Sequence, residues 1–410
     1  MIDTITIDEL KIGMYVVDLT CSNSDFTVKT QGKVKSQKTI DQLKKQGVTK
    51  LVVEYTVKED PAEDDAEDDA EQKDDADDSS EDPYAVDNNE PLVNQHKNSK
   101  SVNDEFSRSC NIYDSASNDV KNILSSGAST QRLSISAIKE LANNITESVL
   151  RNEYAMAILT RIRHPSTYQW EHVLNSGVLM CGFSLYLGFK KETLKQITLG
   201  AMLHDIGVAK VPRGIVDKPG KFTKNDMDVM KKHVAWGQMI CKEDDMTDKV
   251  ILDMVLNHHE RLDGSGYPRG LDGSKLSKLA RMIAIVDVYD AMTGERTYKK
   301  GDQPINVLRY LMANNKKFDR ALVQQFIKYL GVHPVGSLVK LSDEKLAIVV
   351  HGNRNEPVKP KVKIFYNIKH QRYITSKECD LSKMDIKILA SVRPEDYGIN
   401  LPKVIREVIG

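Results

Sequence analysis

The chain has 410 residues, enough for two or three domains, and its 40% hydrophobic and 29% charged residues are typical of a globular protein. Its five cysteines are scattered and odd in number, which disfavours a disulfide framework or a thiolate zinc site and favours reduced thiols. No secretory signal is visible, and the longest mostly apolar stretch, residues 177–189, is too short to span a bilayer. We therefore expect a cytoplasmic protein that has no membrane segment.

Residues 1–56 are predicted to form a small α/β domain. Their first part alternates β-branched and polar side chains, which favours strands. Residues 39–47 have the pattern of a short helix, and residues 49–57 have that of a strand.

A strongly acidic segment follows this domain. Residues 59–83 contain fifteen acids and one lysine, whereas the whole chain has a net charge of −1, so the rest of the chain is net basic. Alanine is the only apolar residue type within the acidic run proper, and such a run cannot bury enough surface to fold. We predict an acidic disordered linker over 57–105.

The pattern from 106 to 330 is helical and predicts one all-α domain, with its motifs in 165–330. We expect about five helices in the motif region. One of them is predicted to end at Gly207, and another to begin at Thr223 with the capping-box sequence TKND and to continue to residue 241.

The tail, residues 331–410, is predicted to be a small, mainly β appendage. Residues 336–353 and 359–378 each have a strand–turn–strand pattern. The predicted fold class is therefore mainly α: a helical domain, preceded by a small α/β domain and followed by a small β appendage.

Potential metal ligands are concentrated in the helical domain. Five of the ten histidines fall in its motif region, 165–330, and two pairs of neighbouring ligands occur, His204-Asp205 and His258-His259. Asp287 lies in an otherwise apolar helix, where an unpaired carboxylate would be costly to bury. A single histidine is more often a core residue than a ligand, but this order of ligands on successive helices is much more specific. The candidate ligands are His172, His204, Asp205, His233, His258, His259 and Asp287.

Five imidazoles and two carboxylates exceed the needs of one ion. Neutral imidazole with carboxylate suits iron, manganese or zinc, and the absence of cysteine ligands disfavours a structural zinc site. A carboxylate such as Asp205 could bridge two ions about 3.5–4 Å apart, a spacing that suits phosphoester hydrolysis.

Several motifs in the helical domain resemble the HD-GYP family, a branch of the HD metal-dependent phosphohydrolases. They include HDIG at 204–207, KKHVAWG at 231–237, HHERLDGSGYPRGL at 258–271 and DVYDAMTGERTYKKG at 287–301. The resemblance covers about 165–330 in order, and residues 1–56 resemble the small N-terminal domain of some members. It implies hydrolysis of cyclic di-GMP, a bacterial second messenger, to the linear dinucleotide and onward to GMP. It also implies two divalent transition-metal ions, usually iron or manganese.

The resemblance further implies a role for each matching residue. One metal would be held by His172, His204, Asp205 and Asp287. The other would be held by Asp205, His233, His258 and His259. The catalytic residues would be His204, Asp205 and Asp290, the last by orienting ligands or water. The substrate would be bound by the loop Gly266, Tyr267 and Pro268 and by Arg296 and Lys299, which would meet phosphate or guanine.

Two positions depart from the family's pattern. Val208 stands where many members have a lysine that contacts the substrate phosphate, with Lys210 two residues on. Tyr168 stands where some members have a carboxylate for a third metal, and Glu171 is close to it in sequence. We expect two metals.

Other functions remain open at this point. The same chemistry could act on another cyclic dinucleotide such as cyclic GMP-AMP, or the domain could be a catalytically weak module that binds a cyclic dinucleotide. A nucleic-acid polymer is not expected as a partner, because no binding motif accompanies the basic balance outside the linker. The expected partners are the cyclic dinucleotide and, through the N-terminal domain, a second copy of the chain or a signalling protein.

Overall fold

The protein divides into two compact units, residues 1–80 and 81–410. The computed structural model describes residues 2–10, 15–21, 32–34, 40–41, 43–44, 48–54, 98–126, 135–162, 168–295 and 300–410. Among the helices in these ranges, none combines the length and the apolar character that a bilayer crossing requires.

The first unit contains a four-stranded antiparallel sheet in the order β1–β4–β2–β3. Its strands are β1 (Ile2–Thr6), β2 (Tyr15–Cys21), β3 (Gly32–Lys33) and β4 (Val48–Glu54). The β-branched residues of β4 suit its place between two neighbouring strands. Residues 40, 41, 43 and 44 are helical, within the predicted helix. The predicted small α/β domain is therefore confirmed.

The second unit begins with a helix that starts inside the range assigned to the linker. Helix α1 (Val102–Ser126) starts at Val102, whereas the linker was predicted to reach residue 105. Val102 and Phe106 are buried, and the buried Glu105 pairs with Arg151 at 2.7 Å, so these residues have partners that hold them in the fold. Residues 57–97 lie outside the described residues.

The helical part of this unit continues through eleven further helices in the described residues. They are α2 (Ile135–Arg151), α3 (Glu153–Leu159), α4 (Tyr168–Tyr186), α5 (Lys191–Leu203), α6 (Arg213–Val216), α7 (Lys224–Met230), α8 (His233–Glu243), α9 (Lys249–Asn257), α10 (Lys278–Thr293), α11 (Pro304–Ala313) and α12 (Arg320–Leu330). Five of these helices begin after a residue whose side chain accepts a backbone N–H, which explains where they start. These caps are Asn152, Thr223, Asp248, Ser277 and Asp319.

The motif region is more finely divided than the sequence predicts. The described residues between Tyr168 and Leu330 form nine helices rather than five. The predicted capping box at Thr223 is present, but the helix it opens ends at Met230, and α8 starts anew at His233. Gly207 does not end α5, which stops at Leu203, and lies instead in a short 3-10 helix, Ile206–Lys210.

The C-terminal part of this unit is a five-stranded antiparallel sheet in the order β8–β7–β6–β5–β9. Its elements are β5 (Leu338–Leu341), β6 (Lys345–His351), β7 (Lys361–Asn367), β8 (Arg372–Asp380), β9 (Ile388–Ser391) and a final helix, α13 (Leu401–Ile409). The central strand β6 is apolar and buried, and it belongs to the same core as the helices. The predicted β appendage is therefore confirmed, although β9 and α13 were not expected.

A partly buried ion pair connects this sheet to the helices. Arg354, which follows β6, donates to the Glu153 carboxylate at 2.8 Å, and Glu153 is only 6% exposed. The ring of His351 lies 4.9 Å from that of Tyr154, next to the same acid.

Candidate metal centre

Seven side chains of the helical domain converge in two groups that could each hold a metal ion. In each group, the nitrogen and oxygen atoms offered lie within 4.8 Å of one another. The His233 group consists of Asp205, His233, His258 and His259. The His172 group consists of His172, His204 and Asp287. The structure thus brings together all seven residues that the sequence singles out as candidate ligands.

Asp205 lies between the two groups and presents a different oxygen to each. Its Oδ1 is 3.2 Å from Nε2 of His233 and 3.4 Å from Nε2 of His258. Its Oδ2 is 3.8 Å from Nε2 of His172 and 3.7 Å from Nε2 of His204. One carboxylate oxygen directed at each group is the arrangement of a ligand that bridges two ions.

Asp287 also contacts both groups. Its Oδ1 lies 3.3 Å from Nε2 of His172 and 3.9 Å from Nε2 of His204. Its Oδ2 lies 3.6 Å from Nδ1 of His259, which belongs to the other group. Both acids therefore contact histidines of both groups.

Three of the histidines are oriented by carbonyl groups at the ends of helices. The last carbonyls of a helix have no partner within the helix, and each of these rings satisfies one with its Nδ1–H. His204 donates to Ala201 at the end of α5 (2.6 Å), and His233 donates to Met230 at the end of α7 (2.8 Å). His258 lies 3.0 Å from the Val255 carbonyl at the end of α9.

The same hydrogen bonds decide which nitrogen of each ring is free to bind a cation. A carbonyl oxygen only accepts, so the proton is on Nδ1 and the lone pair is on Nε2. The Nε2 atoms of His233 and His258 lie only 3.2 Å apart, and two facing lone pairs repel unless a positive charge lies between them. Among the described residues, the buried Nε2 of His204 has no hydrogen-bond partner. These nitrogens fit the metal ions that the HD motif implies.

His172 is oriented by an acid rather than by a carbonyl. Its Nδ1 donates to Oδ2 of Asp290 at 2.8 Å, and Asp290 is fully buried. Asp290 follows Asp287 by one turn of α10, so both acids can contact the same ring: Asp287 lies near Nε2 of His172 and Asp290 near its Nδ1. The ring of Tyr168 stacks on a face of the His172 ring, with the two ring centres 5.8 Å apart. Asp290 therefore lies behind a candidate ligand, as expected for a residue that orients it.

The electrostatics of the centre favour neutral rings at His204 and His259 beside an ionised Asp205. Burial lowers the pKa of His204 to about 4, and burial together with His258 holds the pKa of His259 well below its usual value. Burial acts to lower the pKa of His233 as well, but the hydrogen bond and charge of Asp205 outweigh it and raise that pKa. Burial acts to raise the pKa of Asp205, but the neighbouring histidines hold it well below its usual range. Neutral imidazole and ionised carboxylate are the states that ligate metals.

The atoms of the centre are all imidazole nitrogens and carboxylate oxygens. The four cysteines whose side chains the structure describes are free and buried, and neither group includes one. A nitrogen and oxygen donor set of this kind can hold two divalent transition-metal ions.

Gly207 is required for the close packing of the 3-10 helix on α8. A Cβ at this position would overlap the carbonyl oxygen of His233 and lie 2.5 Å from the backbone nitrogen of Gly237. The glycine of the HDIG motif therefore acts through packing, because it lets His233 approach Asp205.

The GYP loop lies against the His233 group. The ring of Tyr267 is 4.6 Å from that of His259, and its backbone N–H donates to the His259 carbonyl. Glycine at 266 allows the loop to pack closely on the chain itself, because a Cβ there would overlap the backbone of Glu260 and Arg261. Pro268 is exposed at the end of this loop.

Two residues near the centre were not singled out from the sequence. Glu260, which is 1% exposed, accepts the backbone N–H groups of Arg269 and Leu271, just after the GYP motif, one on each carboxylate oxygen. The ammonium of Lys231 lies 5.2 Å from the ring centre of Tyr267. Glu260 directly follows His258-His259, and Lys231 lies two residues before His233. These positions were the only sequence signals that could have pointed to them. Arg296 and Lys299 lie outside the described residues.

Three family models match the chain. Residues 159–322 match the family described as HD domain, residues 2–138 match a domain of unknown function (DUF3391), and residues 338–399 match a KOW domain associated with HD domain.

The chain is similar to several curated proteins. Cyclic di-GMP phosphodiesterase PA4108 of Pseudomonas aeruginosa is 33% identical over 253 residues, which is 62% of this chain and 61% of that protein. Cyclic di-GMP phosphodiesterase response regulator RpfG of Xanthomonas campestris is 37% identical over 35% of this chain and 38% of its own. 3′3′-cGAMP-specific phosphodiesterase 1 of Vibrio cholerae is 32% identical over 42% of this chain and 39% of its own.

The chain thus spans between about two fifths and three fifths of the length of these relatives. The HD-domain match covers every one of the seven residues of the metal centre. The HDIG and GYP motifs lie in the same region. Residues 159–322 therefore match the HD-domain family, and the HDIG and GYP motifs within them support the resemblance to its HD-GYP branch.

Proposed function

We propose that this chain is a metal-dependent phosphodiesterase that hydrolyses cyclic di-GMP to linear pGpG and then to GMP. The observation that carries the proposal is the position of Asp205, with one oxygen directed at each group of histidines. A pair of cations held in this way suits the attack of water on a phosphodiester. Two relatives are named cyclic di-GMP phosphodiesterases, which supports this choice of substrate.

We further propose that the metals are iron or manganese, because the family resemblance implies these ions and the imidazole and carboxylate donors, without thiolate, suit them. When bound, two such ions would lower the pKa of the attacking water and offset the charge that develops on the phosphoryl oxygens.

The residues of the chain have separate tasks in this proposal. Asp205 and Asp287 link the two groups, and Asp290 fixes the orientation of the His172 ring by accepting its Nδ1–H. The partly buried ring of Tyr267 offers a face for a base, and the exposed ammonium of Lys231 beside it is available to a phosphate.

Other parts of the proposal follow from the family resemblance. Arg296 would meet phosphate or guanine with its planar guanidinium, and Lys299 would do so as a point charge. The substrate class places the chain in a bacterial cytoplasm. A second copy of the chain or a signalling protein would bind through the N-terminal domain.

Cyclic GMP-AMP is the second candidate substrate. A relative from Vibrio cholerae that is 32% identical is named for its specificity for this nucleotide, so the family includes both preferences.

The test is a metal and product analysis of the purified full chain. After reconstitution with Mn²⁺ or Fe²⁺ we expect about two metal ions per chain by elemental analysis, and conversion of cyclic di-GMP to pGpG and GMP by chromatography. Asp205→Asn should lose metal from both groups together with the activity. Asp248→Asn is the matched control, because Asp248 caps α9 and has no part in the centre. Faster turnover of cyclic GMP-AMP would favour the second substrate, and a metal-free chain that binds nucleotide would contradict the enzyme.

A further inference from the structure

Glu260 is a buried acid beside the metal centre that is not one of the ligands. Its side chain is 1% exposed, although it directly follows His258 and His259 in the sequence. Its Oε1 accepts the backbone N–H of Arg269 at 2.8 Å, and its Oε2 accepts that of Leu271 at 3.0 Å. Both oxygens therefore accept hydrogen bonds from the backbone that follows Gly266-Tyr267-Pro268.

These two hydrogen bonds close residues 261–271 into a ring. The guanidinium of Arg269 donates to Oδ1 of Asn257 at 2.7 Å, so the backbone rather than the arginine charge binds Glu260. Asp263 and Asp272 pair as an isolated β-bridge further along the loop. The Glu260 carboxylate thus joins the chain after Pro268 back to the His258-His259 turn.

The fastening determines where Tyr267 lies. Between the two ends of the ring, the Tyr267 N–H donates to the His259 carbonyl, and Gly266 packs against the backbone of Glu260 too closely for a Cβ. The Tyr267 ring is consequently held 4.6 Å from the His259 ring. Burying a carboxylate costs free energy that its hydrogen bonds must offset. The hydrogen bonds of Glu260 do so while holding the loop in place.

We propose that Glu260 is a positioning residue, which sets the place of Tyr267 against the metal centre and through it the fit of the cyclic dinucleotide. This inference rests on the proposed function for its kinetic consequence, but its structural content does not depend on the substrate. Glu260 contacts neither the substrate nor the metals. Glu260→Gln keeps the size of the side chain and one acceptor oxygen, while its NH₂ group faces the second backbone N–H and cannot accept from it.

The kinetic test is a double-mutant cycle between Glu260→Gln and Tyr267→Ala. We expect Glu260→Gln alone to lower kcat/KM for cyclic di-GMP by about 10- to 100-fold, the scale of a small displacement near reacting groups. In the Tyr267→Ala background the same substitution should change kcat/KM by less than about twofold. Metal content should stay at the wild-type value, and an equal fold-change in both backgrounds, or a loss of metal, would overturn the inference.

The structural test is hydrogen exchange of individual backbone amides, which needs no substrate. In Glu260→Gln the amides of residues 267, 269 and 271 should exchange faster than in the wild type. Glu105→Gln, a buried glutamate replaced in the same way but paired with Arg151 far along the chain, is the matched control and should leave them unchanged. Unaltered protection at Tyr267 in Glu260→Gln would refute the inference. A wild-type chain that hydrolyses no cyclic dinucleotide would instead contradict the proposed function and leave this measurement decisive.

Discussion

Substitution of Asp290 should weaken the metal centre without removing a ligand. Its carboxylate is fully buried and accepts the Nδ1–H of His172 at 2.8 Å, a charge-assisted bond that orients the ring and makes its Nε2 more basic. Partners of this kind contribute about 10- to 100-fold in metal affinity, which corresponds to about 1.4–2.8 kcal/mol.

Two substitutions of Asp290 should differ in how much metal affinity they lose within this range. Asp290→Asn retains an oxygen that can accept from Nδ1 but loses the charge, so we expect a loss near the lower limit, about tenfold. Asp290→Ala leaves the N–H of His172 without its acceptor in a buried site, so we expect a loss near about 100-fold.

The assay is calorimetric titration of the metal-free chain with Mn²⁺, in which two binding steps should be resolved. The loss should fall mainly on one step, because Asp290 contacts His172, whereas His233 and His258 of the other group are oriented by backbone carbonyls. Asp248→Asn should titrate like the wild type. Equal weakening of both steps by Asp290→Asn, or wild-type affinity in Asp290→Ala, would refute the reasoning.

Three further predictions concern stability, and each is checked by thermal or urea unfolding of the full chain. Gly207→Ala should lower the free energy of unfolding by about 1–3 kcal/mol, since the added methyl overlaps the His233 carbonyl. Gly214→Ala should not, because a Cβ there has no atom within 4 Å. Removing bound metal with a chelator should lower the unfolding temperature, because a metal present at 100 times its Kd contributes about 2.7 kcal/mol. Arg354→Ala should cost about 2–3 kcal/mol, slightly less than a fully buried pair, because it leaves the buried Glu153 without its cation. A wild-type unfolding midpoint in Arg354→Ala would show that the pair is not what ties the sheet to the helices.

The residues that meet at the centre could be identified from the sequence because their chemistry is unusual for their surroundings. An aspartate in the apolar helix α10 and two adjacent histidines at the end of α9 are expensive to place in a core without a purpose. Strands β5 to β8 were equally visible as two strand–turn–strand patterns, whereas β9 was not expected.

The shape of the helices near the centre could not be predicted in the same way. The sequence from 223 to 241 has a continuous helical pattern, yet the helix stops at Met230 and restarts at His233. Hydrophobic periodicity locates a helix but sets its ends only within a few residues. The role of Gly207 was missed for a related reason, since a glycine after a helix is more often a cap than a point of close packing.

These helix ends are what make the centre work, because they supply the atoms that orient the rings. His204, His233 and His258 each donate to a carbonyl in the last turn of a helix, and a carbonyl in the middle of a helix would already have a partner. If α7 ran on through His233, Met230 would lose its free carbonyl and the ring would lose its fixed tautomer. The break at residues 231–232 is therefore a requirement of the metal centre as much as a detail of the fold. It also leaves Lys231 exposed beside Tyr267, where a substrate phosphate can reach it.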